Sequence, residues 1–405
     1  MMKTVISDMD LCTGCGCCEN SCPCDAIKLS TNREGFLYPS IDLGLCVDCG
    51  ICTIKCPNTI DDNKSNNKND FIKLYSAYLE NDTIRLKSSS GGVFYSIAEY
   101  VIEKGGVVFG AEFDSNFNVR HGYTDKIDDI KRFQTSKYVQ SYVGDNYKRC
   151  KSFLEEGKIV FFTGTTCQIE GLYSFLGKKY SNLVTADLIC SGNTSSGLWK
   201  LYVKYVEKKY NSSVQSVNFR DKKYGWDRFS LKISFDTGAI YRRIFPNDSW
   251  AYFFLNHYAM RKCCYKCRYK GIEHKADFTL GDFWGVRERF FELYGKRYDD
   301  KGLSFVLVNT EKASRIFGRL NKLNYCILPI NTVKEYNTTI DNSAKEPIDR
   351  AEFYEDFSKG DFSLLEKKYV RISTWKKCNF LYDFYWRNRI YFGDLYRKIM
   401  KKVRC

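Results

Sequence analysis

A chain of 405 residues is long enough for two to four domains and a sizeable core, and it has no run of 18 apolar residues that would suggest a membrane span. The opening stretch MMKTVISDMD lacks an apolar signal-peptide core, so the 19 cysteines point to metal ligation in the cytoplasm rather than to a disulfide scaffold. The formal charge of +15, from 63 Lys+Arg against 48 Asp+Glu, suits an acidic partner, and the lack of any recognition motif argues against nucleic acid.

In chain order, the first unit spans residues 1–60 and contains a repeat. Cys12, Cys15, Cys18 and Cys22 precede Pro23; Cys46, Cys49, Cys52 and Cys56 precede Pro57. Both runs read C-x2-C-x2-C-x3-C-P, the bacterial ferredoxin spacing for two 4Fe-4S clusters. Three cysteines of one run wrap one cube and the fourth reaches across to the other. The expected sets are therefore Cys12, Cys15, Cys18 with Cys56, and Cys46, Cys49, Cys52 with Cys22. C-x2-C pairs also bind zinc, but two full runs with the trailing Pro favour clusters. Cys17 and Cys24 are spare, and only Cys18 keeps the first run in register with the second. Each bound cluster would carry about −2, lowering the net charge to about +11 for two and about +9 for three. The holoprotein stays basic, as an acidic ferredoxin or flavodoxin, a partner enzyme or a phosphorylated cofactor would require; a solvated lysine-rich surface accounts for the charge equally well.

Residues 61–72, which include DDNKSNNKND, read as a polar linker. Beyond it strands alternate with helices over 73–330, in an N-part to about 155 and a C-part from about 156. Val93, Phe94, Ile97, Ala98, Val101 and Ile102 predict a helix over 92–104, opened by Ser90-Gly91 and closed by Gly105-Gly106. Strands are expected at 107–113 (VVFGAEF), 158–164 (KIVFFTG) and 182–190 (NLVTADLIC), with helices at 167–177 and about 196–209. A β-meander is expected over 214–245. The expected class is α+β or α/β: a dicluster ferredoxin fused to a mixed α/β reductase domain. Residues 331–405 read as a basic, aromatic extension, whose last 35 residues suit either a packed C-terminal helix or peripheral contact with an anionic membrane.

Four later cysteines stand where a metal could be held. Cys167 starts a helix after FFTGTT, Cys190 ends an expected strand, and Cys264 and Cys267 form a C-x2-C pair in RKCCYKCRYKG, with Cys263 competing for the place of Cys264. Consecutive strands would bring the first two to the carboxyl edge of a sheet, where such folds bind ligands. Spacing alone leaves this cluster open against simple burial of small thiols.

The turn Ser88, Ser89, Ser90, Gly91, Gly92 before a helix gathers hydroxyls and N–H groups, as a phosphate site or as an ordinary N-cap. Thr163, Gly164, Thr165 and Thr166 form a second polar turn. In Gly281, Asp282, Phe283, Trp284, Gly285 the glycines permit close backbone approach, and the aromatics either stack on a ligand or fill the core. Lys137 and Tyr138 face either a flavin or anionic substrate, or solvent. His121, His257 and His274 lie outside these segments, so a Lys, a Tyr or water is the expected proton source, and no catalytic residue is assigned.

The segments SSSGGVFYSIAEYVIEKGGVVFGA (88–111), QTSKYVQS (134–141), FFTGTTCQI (161–169), DLICSG (187–192), CYKCRYK (264–270) and ADFTLGDFWGV (276–286) resemble the coenzyme F420 hydrogenase/dehydrogenase beta-subunit family. That family includes F420-reducing flavoproteins and plant hydroxymethyl-chlorophyll reductases. The resemblance covers about residues 1–330, including the fused ferredoxin. It implies an FAD-containing iron–sulfur oxidoreductase, with Cys167, Cys190, Cys264 and Cys267 on a third 4Fe-4S cluster beside the flavin. With a flavin expected, the turns read above make Ser89, Ser90, Gly91, Gly92, Lys137, Thr163, Gly164, Thr165, Gly281, Asp282, Phe283 and Trp284 the expected cofactor-binding residues. Two positions depart from the family pattern: Thr166 stands where Pro is usual and Ser191 where His is frequent. Neither removes a ligand.

Overall fold

A computed structural model describes residues 5–59 and 71–372. Most of the expected linker and the last 33 residues of the basic aromatic segment lie outside the described residues.

The N-terminal unit contains α1 (Cys17–Ser21), the antiparallel hairpin β1 (Ile27–Thr31) and β2 (Leu37–Ile41), and α2 (Ile51–Ile54). Each short helix starts after a left-handed glycine, Gly16 or Gly50, placed between cysteines of its run. That conformation costs glycine little and lets three closely spaced cysteines turn inward.

The remainder is built around an eight-stranded sheet ordered β13-β3-β12-β11-β7-β6-β4-β5. Its strands are β3 (Lys73–Leu79), β4 (Val107–Phe113), β5 (Val119–Thr124), β6 (Val160–Thr165), β7 (Leu183–Leu188), β11 (Phe278–Asp282), β12 (Ser304–Val308) and β13 (Leu323–Leu328). β4, β6, β7 and β11 run parallel, and antiparallel strands flank them on both sides. A second, three-stranded antiparallel sheet holds β8 (Val214–Asp221), β9 (Ser230–Phe235) and β10 (Ile240–Ile244), which is the expected meander.

The helices are α3 (Asp82–Lys87), α4 (Val93–Glu103), α5 (Asn146–Glu155), α6 (Thr166–Leu176), α7 (Ser196–Tyr210), α8 (Ser249–Leu255), α9 (Lys262–Tyr265), α10 (Phe290–Tyr294), α11 (Glu311–Phe317), α12 (Val333–Tyr336), α13 (Arg350–Phe357) and α14 (Phe362–Tyr369). The strand period of two decides which helix covers which face. Val108, Phe161 and Val184 pack under α4 and α11 with Val93, Ile97, Val101, Ile316 and Phe317. Their neighbours Val107, Phe109, Val160, Phe162 and Leu183 pack on the opposite face with Tyr147, Leu154, Ile169 and Leu172 of α5 and α6. Strands buried on both faces read as continuous apolar runs, and VVFG and IVFF do.

The segment from 331, expected as an extension, is part of the body as far as 372. Phe353, Phe362, Leu365 and Tyr369 of α13 and α14 are buried in one core with Trp199 and Tyr202 of α7 and Trp250 and Phe253 of α8. The aromatic content of this stretch is therefore packing surface.

Candidate functional site: three thiol cages and a cavity

The N-terminal cysteines gather into two groups. Cys12, Cys15, Cys18 and Cys56 line one small cavity, the middle cage; Cys22, Cys46, Cys49 and Cys52 line another, the distal cage. Both sets cross over as the repeat predicts. Cys17 also touches the middle cavity, but its Sγ donates to the Lys55 carbonyl at 3.0 Å, and burial pushes its thiol up to about 11. That bond to the Lys55 carbonyl engages its Sγ outside the cavity and leaves the place in the register to Cys18. Cys24 lines the distal cavity beside Cys22.

A third group, the proximal cage, forms at the carboxyl edge of the large sheet. Cys167 stands in the first turn of α6, which a Thr165–Gln168 capping box starts directly after β6. Cys190 stands two residues past β7, and Thr165 and Leu188 are register partners, so both chains leave the sheet together. Cys264 and Cys267 come from α9 and the loop after it. All four line a cavity of about 270 Å³. Cys263 reaches this cavity too, but Cys264 is the buried thiol and accepts the Asn193 N–H at 3.2 Å.

Burial pushes Cys167 and Cys190 up to about 12, and the other thiols of the set add to the shift. Cys264 is raised by its bond to Cys263 and by burial, and Cys267 by burial. Burial likewise raises Cys15, Cys18 and Cys56 of the middle cage. Groups of buried thiolates need a compensating cation, and a metal supplies it. Among the described residues no three His, Cys, Asp or Glu side chains converge tightly enough to hold a single ion. Four thiols around a shared void suit the larger four-iron cube, so this donor set fits a cluster better than zinc. Lys266, Arg268, Lys270 and His274 line the proximal cavity and would offset the cluster's negative charge. Lys270 is anchored by two carbonyls, Cys190 and Thr339, each at 2.7 Å.

The cages abut in series. Asn193 donates from Nδ2 to Cys167 Sγ at 3.6 Å and lies 3.5 Å from the Thr13 carbonyl of the middle cage. Gly171 of α6 faces Cys15 so closely that a Cβ there would lie 3.0 Å from its Sγ. Tyr269, pushed up by burial and then by Cys167 and Cys15, fills the space between the two cages and donates to Asn58 Oδ1 at 3.1 Å.

On the other side of Cys190 lies a larger cavity of about 520 Å³, within the range of cofactor sites. Ser89, Ser90, Gly92, Lys137, Thr163, Gly164, Thr165, Gly281, Asp282 and Trp284 all line it. α4 begins here, and its first-turn N–H groups have no partner within the helix. The carbonyls of the preceding turn are engaged elsewhere: Ser89 by Arg220 and Trp226, Ser90 by Lys222. The wall is thereby biased toward an anion. Phe133, Phe229, Phe245, Phe254 and Trp284 supply flat apolar surface. These are the features a flavin dinucleotide requires: a donor-rich end for phosphate and an aromatic end for a ring.

Two expected residues lie elsewhere. Phe283, just past β11, is wholly buried and stacks on Tyr336 at 4.2 Å. Gly91 is pressed against β3, where a Cβ would meet the Ala77 carbonyl at 2.3 Å. Its absent side chain permits the strand contact.

Three residues outside the expected set also matter. Arg220, fully buried, forks onto Asp282 with both contacts at 2.9 Å and donates to Tyr138 Oη at 2.9 Å. His121, expected away from the site, lines the cavity. Its Nε2 donates to the Thr163 carbonyl at 2.9 Å, so Nδ1 accepts from Ser141 at 2.7 Å, and burial pushes it down to about 4. His274 lines the proximal cavity and is bonded to Asp187 at 2.5 Å. None sits in a motif; only the register of distant strands assembles them.

Residues 157–329 match the family described as the C terminus of the coenzyme F420 hydrogenase/dehydrogenase beta subunit, and residues 5–28 match the 4Fe-4S binding domain. Those two matches show what the regions behind and within the N-terminal unit are similar to. The chain is mixed α/β in architecture. Among solved structures it is similar to a chain of the xenon-derivatised F420-reducing [NiFe] hydrogenase complex from Methanosarcina barkeri. That match has 18% identity and a TM-score of 0.44, and covers 71% of this chain and 89% of that one. No curated protein matches the chain. Among the described residues no helix is long and apolar enough to cross a membrane.

Proposed function

We propose that the chain is an iron–sulfur flavoprotein oxidoreductase holding three 4Fe-4S clusters and one FAD and acting on a two-electron substrate. The observation that carries this reading is the shared wall. Thr165, Leu188, Cys190, Gly192 and Asn193 line both the proximal cage and the 520 Å³ cavity, so a cluster and a flavin would be neighbours. When bound, clusters exchange single electrons and a flavin exchanges pairs with organic substrates.

The chain's own residues place and tune these groups. Cys12, Cys15, Cys18 and Cys56, Cys46, Cys49, Cys52 and Cys22, and Cys167, Cys190, Cys264 and Cys267 hold the three clusters. Arg220 fixes Asp282 and Tyr138 in the cavity wall. Lys137 is half-buried on that wall, and desolvation, opposed by Glu112, pushes it down to about 7. An ammonium poised near neutrality suits proton delivery. His121 does not, because both ring nitrogens are committed and it stays neutral at pH 7.

The test is anaerobic purification with iron, sulfide and flavin quantified per chain. The expected content is about twelve irons and one FAD. Cys264→Ala should fall to about eight irons, whereas Cys263→Ala should keep twelve. About eight irons in the unaltered chain would remove the proximal cluster. A protein without flavin would leave an electron-transfer subunit serving a partner enzyme.

A further inference from the structure

The proximal cage shares lining residues with the cavity and with the middle cage, while the distal cage packs with the middle one and shares none with the cavity. At the distal cage the surface changes character. Cys49 is exposed, while every other described cysteine is buried or half-buried. Around it Leu43 is 66% exposed, Leu45 53%, Val47 67% and Ile54 71%. Four large apolar side chains thus face solvent within one twelve-residue stretch that also carries Cys46, Cys49 and Cys52. Ordinary solvent-facing loops carry such side chains singly.

The flank is basic. Lys55, Lys148 and Lys151 line an open depression that also contains Cys22, Pro23 and Ile51. Lys178, beside Gly177 where Lys55 reaches, extends the row. Glu155, 3.8 Å from Lys151, and Asp25, paired with Lys148 at 2.8 Å, offset part of this charge, as do the exposed Asp42 and Asp48 on the rim. Lys55 also donates to the Ser174 carbonyl at 3.0 Å. The lysines still outnumber the carboxylates on the depression itself. An apolar centre with a cationic flank is the complement of an acidic protein surface surrounding a redox centre. Small contacts of this kind are typical of transient electron-transfer encounters, and their charges govern the on-rate.

We propose that the rim formed by Leu43, Leu45, Val47 and Ile54, with Lys55, Lys148 and Lys151 beside it, is the docking surface for a small acidic one-electron carrier protein. One electron passes between the carrier's centre and the distal cage, with no bond made or broken and no proton transferred. This rests on the reading that the N-terminal cages hold clusters. It does not depend on the flavin.

The test uses the full-length holoprotein and a purified acidic ferredoxin. Binding is measured by titration calorimetry, and reduction is followed by stopped-flow bleaching of the iron–sulfur absorbance. Reduction by dithionite, which needs no docking, is measured in parallel. Leu43→Glu with Ile54→Glu should weaken binding and slow ferredoxin reduction by about tenfold or more, leaving the dithionite rate unchanged. Lys151→Glu, on α5 and outside the cysteine runs, should act in the same direction, and the rate with the unaltered protein should fall as salt rises. Unchanged ferredoxin rates in both variants, or a rate independent of salt, would overturn the proposal. So would stronger binding on removal of residues 373–405, which would make the tail the occupant of the rim. A protein without iron–sulfur absorbance would instead defeat the reading of the cages.

Discussion

His121 shows how a single buried side chain sets a pH limit. Its ring is stacked on Phe162 at 5.4 Å, and desolvation holds it neutral down to about pH 4. In the unfolded chain it titrates near 6.5. Between these values the unfolded state binds more protons, so stability rises with pH across this window and is lost as pH falls from 6.5 toward 4. From pH 7 to pH 5 this amounts to about 2 kcal/mol. His121→Gln keeps a donor for Thr163 and an acceptor for Ser141 but cannot titrate. Thermal denaturation at pH 7 and pH 5 should therefore show a smaller acid loss in the variant; equal losses would mean that His121 is not the group. The two ferredoxin runs were legible because their spacing is local, whereas spacing alone left Cys167, Cys190, Cys264 and Cys267 open. His121, Arg220 and Asn193 were not legible, since each acts through partners on other elements: Arg220 reaches Asp282 across 62 residues and Asn193 reaches Thr13 across 180.

At the scale of elements, α6 is the joint of the molecule. It follows a core strand, carries Cys167 in its first turn, and lays Gly171 against the middle cage. In an exposed helix Gly→Ala is stabilising by about 1 kcal/mol. Here the added Cβ would stand 3.0 Å from both Cys15 Sγ and Tyr147 Oη. Tyr147 is pinned by the Cys15 and Gln168 carbonyls at 2.9 and 2.6 Å and has nowhere to retreat. Gly171→Ala should therefore destabilise by about 1–3 kcal/mol and, if the cages hold the proposed clusters, shift the EPR signal of the one in the middle cage without lowering the iron content of the other two cages. A rise in melting temperature with an unaltered spectrum would show that the contact relaxes freely. The elements themselves were largely readable. The strand expected at 107–113 is β4 residue for residue, and the helix expected over 92–104 is α4. Their closeness to the N-terminal unit was not, because a glycine in a helical pattern does not say what approaches it.

For the whole molecule, the question is why a ferredoxin-like unit followed by a polar stretch is fixed rather than tethered. Composition suggested an independent unit and a linker. The structure instead ties the β1–β2 hairpin to elements more than two hundred residues away. Arg261 donates to the Cys12 and Leu37 carbonyls at 2.5 and 2.8 Å. Arg350 of α13 forks onto Glu34 in the hairpin turn at 3.1 and 2.7 Å, with side chains only 4% and 12% exposed. Such a pair contributes little beyond a well-packed apolar pair of the same volume, but breaking it from one side leaves a buried charge. Glu34→Ala should accordingly cost about 3–5 kcal/mol, somewhat less if the Tyr265 hydroxyl and the Met260 carbonyl, which Arg350 also contacts, retain the guanidinium. The double variant Glu34→Leu with Arg350→Leu should recover most of the loss. If the pair fixes the unit in place and the cages hold the proposed clusters, Glu34→Ala should also slow electron passage from the middle to the proximal cage, since a mobile hairpin lengthens the gap that Asn193 and Tyr269 now fill. Denaturation of the three proteins and single-turnover reduction of the proximal cluster measure both effects. A Glu34→Ala protein within about 0.5 kcal/mol of the parent, with an unaltered internal rate, would show that the other contacts, among them those of α6, Arg261, Tyr142, Ser195 and Ser196, suffice to hold the unit in place.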